Sequence, residues 1–209
     1  MTPGVFVERL ARARAAAILR TDRQELAAPA MDAAIRAGFR IVEFTLTIPG
    51  AIELIAEYAK REGIIVGAGT VMTAEEARKA VKAGARYVVS PVVDEAVIRA
   101  SLDLGVAVLP GTFTPTEMLR AHRAGAQLVK LFPGPADGPA YIRQILGPMP
   151  YLRIVPTAGV NEKNAAAHLK AGAWAVGFVS AAFPADEVAA RRWDRIEAGC
   201  RALLASVAV

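Results

Sequence analysis

The chain has 209 residues, of which 54% are hydrophobic, and a formal net charge of +5 at pH 7. Charged residues interrupt every apolar stretch before about 18 residues, the length of a membrane span, so no membrane association is predicted. The basic residues are dispersed and lack aromatic interleaving, which argues against nucleic-acid binding. Cys200 is the only cysteine and cannot form an internal disulfide. These features, with no apolar signal segment near the N-terminus, predict a cytoplasmic protein.

A short sequence motif recurs along the chain: a cation, an alanine and a glycine, followed by an apolar run. Its copies begin at Arg36, Lys82, Arg123 and Lys170. A cation and a glycine are typical of a helix C-terminus, and the apolar run is typical of a buried parallel strand. Glycines in this setting recur about every 20 to 25 residues, a length that holds one strand and one helix. Each repeat therefore corresponds to one βα unit.

In chain order, the pattern predicts a helix over 3–13 and then eight strands separated by helices. The predicted strands cover 15–20, 40–46, 64–69, 87–91, 106–110, 128–133, 153–158 and 174–180. Eight βα units without a linker predict one domain over residues 1–209, an α/β fold closed as a (β/α)₈ TIM barrel. Neither GxGxxG nor GxxxxGK[ST] occurs, which weakens the doubly wound and P-loop alternatives.

Two charged residues interrupt the apolar strands. Glu43 lies within Ile41–Thr45, and Lys130 lies within Leu128–Pro133. Because side chains alternate along a strand, the apolar neighbours of both charges face the helices and the charges face the barrel interior. Strands two and six contribute to the same interior layer, so the two groups can meet. A buried lysine loses its proton readily and can form a Schiff base with a ketone, and a nearby glutamate can shuttle protons.

Several alternatives remain open at this point. The lysine could extend its ammonium group to water, or the two charges could form a buried structural ion pair. A phosphate-binding barrel isomerase or synthase would need a complete glycine-rich phosphate loop, which this chain lacks. An inert barrel used as an assembly scaffold would have no physical reason to keep a charged pair inside.

Five segments resemble motifs of the bacterial 2-keto-3-deoxy-6-phosphogluconate (KDPG) aldolase family, which includes 4-hydroxy-2-oxoglutarate aldolases. They are the second predicted strand with Glu43, Gly67-Ala-Gly-Thr70, Val89-Ser-Pro91, Leu109–Thr116 and Val129–Gly134. The resemblance implies a class I lyase on a (β/α)₈ barrel, a homotrimer that needs no metal or cofactor. It implies cleavage of the phosphorylated sugar acid to pyruvate and glyceraldehyde 3-phosphate. The alternative substrates are 4-hydroxy-2-oxoglutarate and unphosphorylated 2-keto-3-deoxy acids.

The resemblance also implies roles for individual residues. Lys130 would form the Schiff base, and Glu43 would be the general acid and base. Thr70 would hold the pyruvate carboxylate, and Phe132 would pack near the imine. Pro91 would shape the pocket wall. Arg20 would hold an anionic end of the substrate, because Thr47 stands where many relatives carry an arginine.

The segments expected to hold the substrate phosphate depart from the family pattern. They read Pro156-Thr-Ala-Gly159 and Gly177-Phe-Val-Ser180, so Thr157, Gly159 and Ser180 remain as predicted binding residues. Ala158 and Val179 replace glycines whose amides could approach a phosphate and whose backbone could adopt a positive φ. The sequence therefore predicts a weakened hold on phosphate. The two histidines fall in helix-like segments without ligand spacing, so no metal site is predicted.

Overall fold

The computed structural model describes residues 1–208, in which nine strands alternate with ten helices. The strands are β1 (Ala15–Leu19), β2 (Ile41–Thr45), β3 (Ile65–Gly69), β4 (Tyr87–Val89), β5 (Ala107–Leu109), β6 (Gly111–Thr112), β7 (Val129–Leu131), β8 (Ile154–Pro156) and β9 (Val176–Phe178). The helices are α1 (Pro3–Ala13), α2 (Gln24–Ala37), α3 (Ala51–Tyr58), α4 (Ala74–Ala83), α5 (Glu95–Asp103), α6 (Pro115–Arg123), α7 (Gly138–Leu146), α8 (Ala165–Lys170), α9 (Ala185–Ala189) and α10 (Trp193–Ser206).

The strands form a closed parallel barrel. One run pairs in the order β5-β4-β3-β2-β1-β9, and a second in the order β6-β7-β8. The two runs join at Pro110, whose carbonyl accepts a 2.9 Å hydrogen bond from the Lys130 amide. At the other seam, the Trp174 amide donates to the Ile154 carbonyl at 2.8 Å. The predicted (β/α)₈ barrel with an N-terminal helix is confirmed.

The fifth predicted strand differs from the prediction in one respect. It continues beyond residue 110 as β6, and Pro110 divides it from β5. Proline has no amide hydrogen, so the ladder is interrupted where it stands. Other predicted strands were too long at their ends, as at 87–91 and 128–133, where Pro91 and Pro133 cannot donate to a ladder.

The core has two layers, as a barrel requires. Outward-facing side chains such as Val42, Phe44 and Leu131 pack against the helices in the larger cluster. Ile41 and Leu128 belong to a smaller cluster in the barrel interior. The alternation predicted for these strands is therefore present, with apolar residues on the helix-facing side.

Helix α1 closes the N-terminal end of the barrel. Its Phe6 ring stacks on Tyr87 with ring centroids 4.4 Å apart. Trp174 Nε1 donates to the carbonyl of Val7 at 3.1 Å. This end is thus filled by apolar side chains, which leaves the C-terminal ends of the strands for polar groups. None of the helices within residues 1–208 has the length and hydropathy of a membrane span.

Candidate active site

Lys130 and Glu43 both lie inside the barrel, where 6% and 2% of their surfaces are exposed. Lys130 is flanked by Gly111 of β6 and Val155 of β8. Both charged residues line one small interior cavity, whose remaining wall is mostly apolar. The structure thus brings the two predicted catalytic residues into one water-poor space.

Gly69 makes room for the Glu43 side chain. A Cβ atom at position 69 would lie 2.8 Å from Glu43 Cδ and 3.1 Å from Cγ, closer than carbon atoms approach without repulsion. Gly67, two residues earlier on the same face of β3, similarly accommodates the Tyr87 ring. The two glycines of the Gly-Ala-Gly-Thr motif therefore have a steric explanation. Gly69 was not among the predicted site residues.

Burial changes the proton affinity of both groups. It raises the pKa of Glu43, although the positive charges of Lys130 and Arg20 oppose that shift. It lowers the pKa of Lys130; Glu43 opposes this shift and the Arg20 charge adds to it. Both directions favour the uncharged forms, a carboxylic acid and a free amine. These are the forms needed to attack a ketone and to protonate the hydroxyl that leaves.

The Glu43 carboxyl group also has unused hydrogen-bonding capacity. Within residues 1–208, its Oε1 atom is buried and has no hydrogen-bond partner. Buried polar atoms in folded proteins nearly always have a partner, so such an exception points to a functional group. The oxygen is available to a water molecule or to the hydroxyl groups of a substrate.

The end of β7 holds the lysine in place. Thr112 Oγ1 donates to the Lys130 carbonyl at 3.0 Å. The Phe132 ring centroid lies 4.9 Å from Lys130 Nζ, so the ring forms one side of the space around the amine. Phe132 therefore lies beside the amine.

Arg20 and Thr70 meet at the mouth of the barrel. Arg20 follows β1 and Thr70 follows β3, and Arg20 Nη2 donates to Thr70 Oγ1 at 3.3 Å. Thr70 has a φ of 56°, a left-handed conformation that is rare for a β-branched residue. The positive charge of Arg20 opposes the raised pKa of Glu43 and adds to the lowered pKa of Lys130.

The remaining predicted residues lie in three places. Thr157 is buried and lines the interior cavity with Glu43 and Lys130. Gly159 and Ser180 instead line an open cavity of about 340 Å³ on the outer rim. Pro91 is half-buried, and its backbone packs against Gly111 at the start of β6.

The backbone at Ala158 and Val179 does not have the positive φ that glycine would permit. Among residues 1–208, the non-glycine residues with positive φ are Arg14, Thr70 and Arg191. Ala158 and Val179 therefore have ordinary backbone conformations, and glycine is not required at either position for its φ. The weakened hold on phosphate stays a prediction.

Lys163 is a further residue in the rim cavity that the sequence analysis missed. It lines this cavity with Gly159 and Ser180. Its amide donates to Asn161 Oδ1 at 2.9 Å, and the Asn161 amide donates to Asn164 Oδ1 at 2.9 Å. Asparagine side chains that bond nearby amides are typical of turns before a helix. The two asparagines, three residues apart, were the sequence signal of this turn, which contains Lys163.

A cavity of about 520 Å³ lies beside the site and is lined by neither Glu43 nor Lys130. The loop before α7 and the buried His168 line it. The ring of His168 bonds the Asn164 carbonyl through Nδ1 at 2.9 Å. No cluster of three or more histidine, cysteine or acidic residues suited to a metal occurs within residues 1–208.

Comparison with known proteins places this site in a family. The family model described as KDPG and KHG aldolase matches residues 6–199. The chain belongs to the KDPG and KHG aldolase family. It is therefore a carbon–carbon lyase of the class I aldolase type, and the resemblance of its motifs to this family is confirmed.

Two curated relatives of this aldolase show the range of substrates in the family. A probable 2-dehydro-3-deoxy-6-phosphogalactonate aldolase of Rhizobium meliloti (strain 1021) is 37% identical over 170 residues, covering 80% of both chains. A 2-dehydro-3-deoxy-phosphogluconate aldolase of Treponema pallidum (strain Nichols) is 34% identical over 200 residues, covering 91% of this chain and 92% of the relative.

Solved structures agree with the fold of this aldolase. The native KDPGal structure matches with a TM-score of 0.83 and 31% identity, covering 92% of this chain and 93% of the other. KDPG aldolase from Legionella pneumophila, with pyruvate captured at low pH as a covalent carbinolamine intermediate, matches with a TM-score of 0.77 and 26% identity, covering 89% and 93%.

Proposed function

We propose that this aldolase cleaves 2-keto-3-deoxy-6-phosphogluconate to pyruvate and glyceraldehyde 3-phosphate through an imine on Lys130. The observation that carries the proposal is the interior cavity shared by Lys130 and Glu43. Burial lowers the pKa of the amine and raises that of the carboxyl group, so both are prepared for imine formation. A merely structural ion pair would be charged and directly bonded, whereas Glu43 Oε1 has no partner within residues 1–208.

The first half of the reaction forms the imine. The Lys130 amine attacks the C2 ketone of the substrate, and proton transfer gives a neutral carbinolamine. Glu43 donates its proton to the C2 hydroxyl, which departs as water and leaves an iminium ion and the Glu43 carboxylate. The ring of Phe132 lies beside the nitrogen on which the positive charge develops.

The second half breaks the C3–C4 bond. Glu43, now a carboxylate, accepts the proton of the C4 hydroxyl, and the bonding electrons pass to the iminium group to give an enamine and the aldehyde. Glu43 then returns a proton to C3, which becomes the methyl group of pyruvate. Hydrolysis of the resulting iminium releases pyruvate and restores Lys130. Glu43 Oε1 has no hydrogen-bond partner in the described chain, which leaves this oxygen free for each of these proton transfers.

Arg20 and Thr70 would hold the carboxylate beside the reacting ketone. They lie at the C-terminal strand ends, and the guanidinium group offers paired donors that match a carboxylate. The distal phosphate would occupy the rim cavity, which Gly159, Ser180 and Lys163 line together with the acidic Glu162. This arrangement spans the substrate from its carboxylate to its phosphate.

A second candidate substrate is the C4 epimer, 2-keto-3-deoxy-6-phosphogalactonate. The Rhizobium meliloti relative at 37% identity is named for that substrate. Both epimers give the same two products, so the reaction described above applies to either. Measuring kcat/KM for the two epimers and for 4-hydroxy-2-oxoglutarate, each by pyruvate release, distinguishes the three activities.

Borohydride trapping tests the reaction type. Reduction in the presence of pyruvate should yield a single adduct on the peptide that contains Lys130. The adduct should disappear in Lys130→Met and persist in Lys79→Met, a control lysine that forms a surface ion pair with Glu75. An adduct on another lysine, or full turnover in Lys130→Met, would contradict the proposal.

We also propose that the protein is a homotrimer, as the family resemblance implies. Exposed apolar side chains on three successive loops at the active-site end, Met72, Val92 and Phe113, support an interface there. Light scattering would measure the assembly mass, and a monomeric mass at micromolar concentration would contradict this part of the proposal.

A further inference from the structure

Tyr87 lies inside the barrel close to Glu43 and takes no part in the proton transfers described above. Its surface is 2% exposed, and it lines the same interior cavity as Glu43 and Lys130. A tyrosine buried to this degree usually bonds through its hydroxyl group, and the direction of that bond shows where the ring is held.

The Tyr87 side chain crosses one strand and bonds the next. Tyr87 belongs to β4, and its ring covers Gly67 of β3, where an added Cβ atom would overlap three ring carbons. The hydroxyl group donates to the carbonyl of Val42 on β2 at 2.9 Å, in a buried hydrogen bond. Burial, together with the charge of Glu43, holds the pKa of this phenol well above its ordinary value of 10, so the hydroxyl stays a donor at neutral pH.

The strand register places this ring behind the Glu43 side chain. Glu43 pairs with Gly67. Its carboxyl group lies over Gly69, two residues closer to the C-terminal end of β3. The side chain therefore runs from the level of Gly67 toward the mouth of the barrel. The Tyr87 ring fills the space over Gly67, which is the space into which Glu43 would otherwise turn back.

Helix α1 supports the ring from the closed end of the barrel. Phe6 stacks on Tyr87 with an interplanar angle of 20°. The ring is thus held by a stacked phenyl group, by a hydrogen bond to β2 and by the absence of a side chain at Gly67. A side chain held in this way has little freedom to move, so it can act as a rigid wall.

We infer that Tyr87 is a positioning residue for Glu43, whose ring keeps the glutamate side chain directed toward Lys130 at the mouth of the barrel. The ring performs this role, and the hydroxyl group anchors the ring to β2. Tyr87 acts through Glu43 and exchanges no proton with the substrate. This inference rests on the proposed function, in which Glu43 carries the protons.

Tyr87→Leu removes the ring and tests this role. Misplacing a reacting group by about 1 Å costs about a hundredfold in rate, so we expect kcat for the cleavage of 2-keto-3-deoxy-6-phosphogluconate to fall by about that factor. Pyruvate should still be trapped on Lys130, with a half-saturating concentration within about threefold of the wild type. Tyr87→Phe keeps the ring and should restore kcat to within about threefold. A normal kcat in Tyr87→Leu, or an equally low kcat in Tyr87→Phe, would overturn the inference.

A double variant shows whether the effect passes through Glu43. Without the carboxyl group, the direction of side chain 43 no longer affects proton transfer. Glu43→Gln combined with Tyr87→Leu should therefore be no more than about threefold slower than Glu43→Gln alone. A residue needed only for packing would lower kcat by the same factor in both backgrounds. Two losses that multiply would therefore contradict the positioning role.

Gly67→Ala and Phe39→Leu separate positioning from loss of packing. Gly67→Ala displaces an intact Tyr87 ring, so its kcat should fall by at least about tenfold. Phe39 is also buried but lies in the cluster between the strands and the helices. Phe39→Leu should lower the melting temperature as Tyr87→Leu does, while its kcat at 25 °C stays within about threefold of the wild type. Should Tyr87→Leu not fold, a normal kcat in Gly67→Ala would overturn the inference.

The possible failures are distinguishable. If the wild type is trapped by pyruvate on Lys130 and cleaves the substrate, but the Tyr87 variants behave otherwise than expected, the positioning role alone is overturned. If wild-type Lys130 is not trapped at all, the proposed function and the role of Tyr87 are both overturned.

Discussion

Gly69→Ala should impair catalysis by moving Glu43 without changing a chemical group in the site. The added Cβ would lie 2.8 Å from Glu43 Cδ and 3.1 Å from Cγ, whereas carbon atoms favour about 3.5–4.0 Å. The Glu43 side chain must therefore withdraw by roughly 0.5–1 Å. Misplacing a reacting group by about 1 Å costs about a hundredfold in rate. We expect kcat to fall by about that factor.

The effect on stability should be smaller. Forcing one extra carbon into a packed interior costs about 1–3 kcal/mol, and each kcal/mol lowers the melting temperature by about 2–4 °C in a chain of this size. The variant should therefore fold and be assayable at 25 °C. Pyruvate release, coupled to NADH oxidation by lactate dehydrogenase, measures kcat, and thermal unfolding measures stability. Trapping of Lys130 by pyruvate should remain detectable, because the lysine itself is untouched.

Gly199→Ala provides the matched control for this experiment. Gly199 lies on α10, and an added Cβ there meets no heavy atom within 4 Å. Its activity should equal that of the wild type, and its stability should stay the same or increase, because alanine favours a helix more than glycine. A kcat for Gly69→Ala within threefold of the wild type would refute the reasoning, since it would mean that the position of Glu43 is not critical.

Five further outcomes are expected. In Glu43→Gln, kcat should fall by roughly 10²–10⁴-fold while pyruvate trapping persists; an unchanged kcat would reassign Glu43 to a structural role. Burial raises the pKa of Glu43 above its ordinary 4.5, so the folded state gains stability from its protonation at low pH and loses it as pH rises through the folded pKa. Urea unfolding should therefore show the wild type losing stability relative to Glu43→Gln as pH increases from about 4.5, and a constant difference would contradict the raised pKa. Because the pKa of Lys130 lies below the ordinary 10.5, trapping should reach its maximal rate below that pH, and half-maximal trapping at pH 10.5 would exclude the shift. The preference for 6-phosphorylated over unphosphorylated 2-keto-3-deoxygluconate should stay below about a thousandfold in kcat/KM, and Lys163→Gln should lower only the phosphorylated activity; a larger preference, or equal loss on both substrates, would show that the rim cavity does not act as proposed. Prolonged EDTA treatment should leave activity intact, and restoration of lost activity by zinc or magnesium would indicate metal-assisted chemistry.

The barrel and its strand positions could be predicted because their signals are local. A cation and a glycine end four of the helices, an apolar run begins each strand, and both patterns depend on a few neighbouring residues. Glu43 and Lys130 were recognisable for the same reason, since a charge in a buried strand is conspicuous and alternation shows which way it faces. Strand ends were less predictable, because β6 exists only through its pairing with β7 after the break at Pro110.

The sequence by itself thus determined the repeating βα architecture and the inward direction of two charged side chains, because periodicity and the cost of burying charge act within one segment. Only the tertiary structure decided which distant residues meet. Arg20 contacts Thr70 across 50 residues of chain, and Gly69 accommodates Glu43 from the adjacent strand. Thr157 lines the interior cavity, whereas Gly159 and Ser180 line the rim cavity. This separation depends on the directions in which the loops leave the strand ends. Such contacts depend on barrel closure and on atomic volumes, which no local pattern along the chain encodes.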